Sequence, residues 1–233
     1  RSWCVLKNRR HEGDKRMNRL FVLAIMTVLV VTAQAFSQTS QTQDPPRYEI
    51  AAEFTTLNRE AYDGVRVEPG LGARFTFNFN KNVAIEGAMH ISFNDCPSCT
   101  FTGRYGDIFA GVKVGKRFKS WGIFAKARPG DVTFGAQQID IVQTGTGGPF
   151  PFEFRAKGVD NFALDVGGVI EFYPSRRIVT RFDAGDTIIH FTRRTHDGLS
   201  FDPATGTYTI VPFVTPARTT NNFQFMASIG FRF

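Results

Sequence analysis

Leu71-Gly72-Ala73-Arg74-Phe75-Thr76-Phe77-Asn78-Phe79-Asn80 alternates without a break, apolar at odd numbers and small or polar at even ones. Successive side chains of an extended chain point to opposite faces, so this is a strand with one greasy and one polar face. The pattern returns on both sides. Val83 to Phe93 sets Val83, Ile85, Met89, Ile91 and Phe93 against Glu86, His90 and Ser92. The final residues set Phe223, Phe225, Ala227, Ile229, Phe231 and Phe233 against Asn222, Gln224, Ser228, Gly230 and Arg232. Weaker versions occupy Tyr48–Leu57, Tyr105–Phe118, Trp121–Phe134, Val159–Tyr173 and Ile178–Phe191. Within Trp121–Phe134 the polarity pattern changes at Pro129-Gly130, which predicts a phase shift there, as at a bulge or kink. Eight strands are therefore expected, each long enough to cross a bilayer when tilted.

The connections carry a second signal. Asn80-Lys81-Asn82, Lys119-Ser120 and Pro174-Ser175-Arg176-Arg177 are short, whereas the segments at about 58–68, 94–104, 135–158 and 192–221 are long. Short and long strictly alternate, as they do in an up-and-down antiparallel membrane barrel. The two longest segments contain alternation of their own (Ile139–Val142, Phe150–Phe154, Tyr208–Phe213), so they are expected to extend as hairpins. A soluble ligand-binding barrel would put the apolar face inside; a membrane barrel inverts this. The polar face here is rich in Gly, Ala and Ser as well as charges, which suits a crowded lumen. The apolar face carries aromatics near strand ends (Phe79, Phe93, Trp121, Phe172, Phe191, Phe231, Phe233), which suits interface girdles.

Upstream, Lys15-Arg16-Met17-Asn18-Arg19 is a basic start, Leu20 to Val31 is apolar apart from Thr27, and Ala33-Gln34-Ala35 is an A-x-A cleavage site. This reads as a secretory signal over 17–35, cleaved on export and helical. The apolar run is too short to cross about 30 Å of hydrocarbon. Residues 1–16 read as an upstream extension, 36–47 as a disordered lead-in rich in Ser, Thr and Gln, and 48–233 as the barrel domain. Residues 1–35 hold seven of the 28 basic residues and two of the 21 acidic ones, so most of the formal +7 lies in the signal region. No basic stripe with interleaved aromatics remains for nucleic acid.

The run Phe225, Ala227, Ile229, Phe231 and Phe233 at the chain end resembles the C-terminal signal of bacterial outer-membrane barrels. Tyr48–Phe233 as a whole resembles the small OmpA/OmpX-type, porin-like eight-stranded barrel domains. The resemblance implies an all-β transmembrane barrel in the outer membrane of a Gram-negative bacterium, part of its cell envelope. It also implies outer-membrane lipid and the barrel-assembly machinery as partners. A small barrel that closes on itself is expected to be a monomer.

Arg74, Glu86, His90, Lys113, Lys126, Arg128, Asp165, Glu171, Arg181, Asp183 and Arg232 are predicted to line the lumen as a charge network. Charges of both signs in a narrow, low-dielectric space should pair. Such a network either fills the barrel or leaves a gated, narrow polar path for ions. Glu86 and His90 share a face, and Ser92 is the one nearby hydroxyl, too little to indicate a catalytic set. Cys96-Pro97-Ser98-Cys99 is expected to close a small loop disulfide after export. No Cys/His cluster indicates a metal, and Gly145-Thr146-Gly147-Gly148 lacks the Lys-Ser/Thr of a phosphate loop, so no cofactor is expected. Four functions remain open: a structural barrel with at most narrow porin-like conduction; surface binding of an extracellular ligand through loops 135–158 and 192–221; an enzyme acting on outer-membrane lipid through His90 or His190; and a soluble ligand-binding barrel.

Overall fold

The computed structural model describes residues 45–61, 64–93, 104–145 and 152–233. The expected extension, signal helix, cleavage site at Ala33 and Ala35, most of the expected lead-in, and the expected Cys96–Cys99 disulfide lie outside these residues.

The described residues form ten strands: β1 (Tyr48–Ala61), β2 (Gly64–Asn78), β3 (Val83–Ser92), β4 (Tyr105–Arg117), β5 (Trp121–Gln143), β6 (Phe152–Phe172), β7 (Ile178–Phe191), β8 (Arg194–Asp202), β9 (Thr207–Thr215) and β10 (Arg218–Arg232). Eight close into one antiparallel barrel in the order β1-β10-β7-β6-β5-β4-β3-β2. The last strand closes on the first, with Glu49 opposite Arg232 and Leu57 opposite Gln224. Closure leaves no barrel edge to be capped. The termini of the barrel lie together at the end that also carries the three short turns; this is the turn end, and the opposite one the ribbon end.

The predicted faces hold across the middle of the barrel. Ile85, Met89 and Ile91 are exposed on the outside, while Glu86, His90 and Ser92 are buried inside. Phe225, Ala227, Ile229, Phe231 and Phe233 share the outward face of β10 and the chain end, with Ile229, Phe231 and Phe233 exposed.

The extension expected of 135–158 is present: β5 and β6 continue into it, paired out to Gln143 opposite Phe152. Three expectations require correction. The segment 58–68 is not a loop: β1 and β2 stay paired as far as Ala61 opposite Gly64. Pro129-Gly130 causes no phase shift, since Trp121 to Phe134 keeps one register against β6; the irregularity falls between Phe134 and Gln138. Phe191 does not belong to the outer girdle, because its side chain is buried in the lumen.

The last connection contains β8 and β9, a two-stranded sheet of its own. Phe191 pairs with Arg218 below the gap and Arg194 with Thr215 above it, so pairing resumes in the same register. Pro216 lies in the gap and has no N–H to offer, which accounts for the missing rungs. The ribbon turns at Asp202–Thr207, where Gly206 adopts φ 67° and donates its N–H to the Asp202 carbonyl at 2.9 Å. That left-handed backbone favours glycine.

Candidate functional site

Among the described residues, the lumen is where the fold gathers its buried charged side chains. All eleven predicted lumen charges are buried there. Four further charges, Glu49, Glu53, Asp107 and Arg117, join them.

The largest layer is a connected ion network. Arg181 holds Glu86 through both terminal nitrogens and grips Asp183 at 2.5 and 2.7 Å. Asp183 takes Lys126 at 3.1 Å, and Lys126 reaches Asp165 at 2.9 Å. Asp165 also takes Arg128, at 2.8 and 2.5 Å. In the other direction Lys113 bridges Glu86 and Glu171, and Arg117 links Glu171 to Glu49. The linked set contains equal numbers of carboxylates and cations, so the layer is balanced. Balance is what makes so many buried ions tolerable, because removing one leaves its partners uncompensated.

Beside this network, Arg74 binds Glu53 at 2.6 Å, and His90 stands between two carboxylates. Its Nδ1 is 2.6 Å from Asp107 and its Nε2 is 3.0 Å from Glu53. An imidazole that bears hydrogen on both nitrogens satisfies both contacts. The row crosses four strands at one level: Glu53 is opposite Gly72, Gly72 opposite His90, and His90 opposite Asp107. Gly72 is what lets the ring reach across β2. A Cβ there would lie 2.1 Å from His90 Cδ2 and 2.3 Å from the Met89 carbonyl oxygen. Glu86 and His90, paired by spacing in the sequence, turn to separate partners.

Above the ions lies a neutral polar layer. The Thr187 hydroxyl donates to Gln224 at 2.7 Å, and Gln224 donates to Thr55 at 3.2 Å. Above that, toward the ribbon end, the lumen turns apolar: Leu57, Tyr105, Phe109, Val132, Phe134, Ala163, Ile189 and Phe191 form one buried cluster. Phe134 stacks on Phe191 at 5.9 Å and meets Tyr105 at 6.1 Å. Arg59 sits over Phe134 at 5.3 Å while bound to Glu68 at 3.1 Å, and Arg218 covers Phe191 at 4.9 Å. The sequence reading missed this plug. Its signal was the apolar side chains at inward positions of the upper strand turns.

At the turn end, Arg117 and Arg232 flank the Tyr173 ring at 5.1 and 4.6 Å. The Tyr173 hydroxyl donates to Glu171 at 2.7 Å and accepts from Arg117 at 2.8 Å. Outside, Tyr48 packs on Phe77 and Phe233, and Phe118 stacks on Trp121 at 4.3 Å. Aromatic rings at this height form an interface girdle.

An apolar coat around a charged, filled lumen inverts the plan of a soluble barrel and defines a transmembrane β-barrel. No protein-family model matches the chain, and no curated protein matches its sequence. Solved structures similar to it include Neisserial surface protein A, at 12% identity over 82% of this chain and 99% of that one, with a TM-score of 0.49. Ail, the attachment invasion locus protein of Yersinia pestis, solved with the heparin analogue sucrose octasulfate, is 12% identical over 80% and 96%, with a TM-score of 0.43. The N-terminal β-barrel domain of Pseudomonas aeruginosa OprF is 9% identical over 82% and 100%, with a TM-score of 0.40. Similarity at this level says nothing of ligand or partner.

Proposed function

We propose that the chain is an outer-membrane barrel of the bacterial envelope, closed to solutes, whose work is to hold β-ribbons at the cell surface. The turn end then faces the periplasm and the ribbon end the outside. The observation that carries this reading is the filling of the lumen. A balanced ion network, a neutral polar layer and an apolar plug succeed one another along the axis, and eight strands leave room for little besides side chains. An ion crossing this path would have to break buried charge pairs and pass the apolar cluster.

Conductance of the refolded full chain in a planar lipid bilayer tests the proposal. Insertion without current is the expected result; reproducible current steps in the unmodified protein overturn it. Catalysis through His90 is disfavoured by the same geometry, since both its nitrogens face carboxylates and neither is left to activate a nucleophile; His190, the other histidine of that reading, is exposed with Nδ1 3.0 Å from the Thr219 hydroxyl.

A second reading places binding of an extracellular ligand on the β8–β9 ribbon. Its support is the exposure of Phe201, Tyr208, Ile210 and Phe213 on a sheet whose two edges pair with no other strand among the described residues. Open edges and exposed apolar residues are what a partner strand uses. Deleting 194–215 should leave the barrel folded and abolish cell-surface binding if this reading holds; a shortened barrel that still binds refutes it.

A further inference from the structure

The turn end is ringed by exposed positive charge. Arg47, Lys81, Lys116, Lys119, Arg176 and Arg177 are all exposed there, distributed over the entry to β1, the three turns and the adjoining end of β4. Among the described residues no Asp or Glu side chain is exposed beside them; Glu49 and Glu171 turn inward and are fully buried. The ribbon end is mixed, with Glu153 bound to Arg155 and with Asp160, Asp202, Arg193 and Arg218 all exposed. The asymmetry along the barrel axis is therefore one of sign.

Lys116 indicates what meets this ring. It lies on the outward face of β4, two residues beyond Val114 and opposite Ile123, both exposed and apolar. From that face its ammonium cannot enter the mouth of the lumen; it reaches only what surrounds the barrel. Its Nζ lies 5.5 Å from the centre of the Phe118 ring, which stacks on Trp121 in the girdle. A lysine so placed lays its aliphatic stem along apolar surface and keeps its charge at headgroup depth.

We propose that the ring binds the phosphates of anionic phospholipids in the surrounding leaflet, which on the reading given above is the periplasmic one. The ligand chemistry is a phosphate diester carried on a lipid, recognised by point charges just beyond an aromatic belt. Charges of this kind near an anionic surface each favour association on the order of fivefold, so even partial engagement of six produces a measurable preference.

Trp121 is a built-in reporter. The chain has 2 Trp, and Trp3→Phe in the full chain leaves Trp121 alone at the rim. That protein is refolded into phosphatidylcholine vesicles containing phosphatidylglycerol, with one lipid or the other brominated near the headgroup end of its acyl chains. Quenching by both lipids is expected, with phosphatidylglycerol preferred on the order of fivefold at low salt. Replacing all six cations by Gln should bring the two lipids to parity, and exchanging Lys for Arg and Arg for Lys should keep the preference. Equal quenching in the unmodified rim overturns the proposal while leaving the transmembrane reading intact. Quenching by neither lipid overturns both. Inorganic phosphate should weaken the preference no more than sodium chloride of equal ionic strength; a larger drop assigns the ring to free phosphate and overturns the lipid assignment.

Discussion

Gly72 stands directly opposite His90, and the imidazole lies across the space that a side chain on Gly72 would occupy. The missing Cβ is thus part of the contact between His90 and Glu53 two strands away. Gly72→Ala should force the ring off Glu53 and cost about 1–3 kcal/mol, the usual range for overpacking. Urea titration of the barrel in lipid vesicles reads this. In the double variant with His90→Ala the cost should fall below the sum of the two single costs, because neighbouring residues couple. Strict additivity would show that the cost of Gly72→Ala does not pass through His90.

Arg181 serves Glu86 and Asp183 at once. Arg181→Met should destabilise the barrel by about 3–5 kcal/mol, because it leaves the buried layer one cation short. Adding Glu86→Gln should recover much of the loss, since carboxylates and cations are then equal again while Asp183 keeps Lys126. Unfolding midpoints of the single and double variants decide this; a double variant weaker than the single one contradicts the balance argument.

The plug makes a separate prediction. Phe134→Ala and Phe191→Ala should each cost about 3–5 kcal/mol, as large-to-small changes in packed interiors do. Neither should open a conducting path, because the ion network beneath remains closed. Current through either single variant would mean that the plug alone seals the barrel.

The β8–β9 turn carries a pH response outside the membrane. Asp202 accepts from the Ala204 N–H at 2.9 Å and from the Thr205 hydroxyl at 2.9 Å. Those bonds hold its carboxyl below the ordinary value of 3.8, the Ala204 contact contributing most. A lowered pKa means that the turn gains its stabilisation at neutral pH and loses it as pH falls through the folded value. Amide chemical shifts of Thr205 and Gly206 should titrate below the pH of an unstructured aspartate, and Asp202→Asn should abolish that step. A midpoint at the ordinary value would mean that the bonds do not form in solution.

The barrel was legible in the sequence because one physical rule, alternation at period two, applies to every strand that separates lipid from lumen. Leu71–Asn80 shows it with nothing added. The same rule misled at Pro129-Gly130. Beyond this point the outward residues of β5, Asp131 and Thr133, become polar, and the inward ones, Val132 and Phe134, become apolar. Both faces change character together as the strand leaves the apolar band, and polarity alone cannot distinguish that from a slipped phase. The plug was missed for the same reason, and Phe191 was placed on the wrong side. The individual ion pairs were not legible either. Alternation puts Lys113 and Glu171 in the lumen, but their meeting depends on closure of the barrel, which brings together residues 58 apart in the chain.

The unbroken register of the last ribbon has a practical consequence. Because β8 and β9 continue the pairing of β7 and β10 across Thr192-Arg193 and Pro216-Ala217, the ribbon can be shortened or lengthened by matched pairs of residues without turning any retained side chain to the other face. A foreign peptide grafted between Asp202 and Thr207 would stand at the tip of a stalk of adjustable length, fixed in azimuth by the barrel below. The protein is in this sense a ready scaffold for presenting short sequences from a membrane surface.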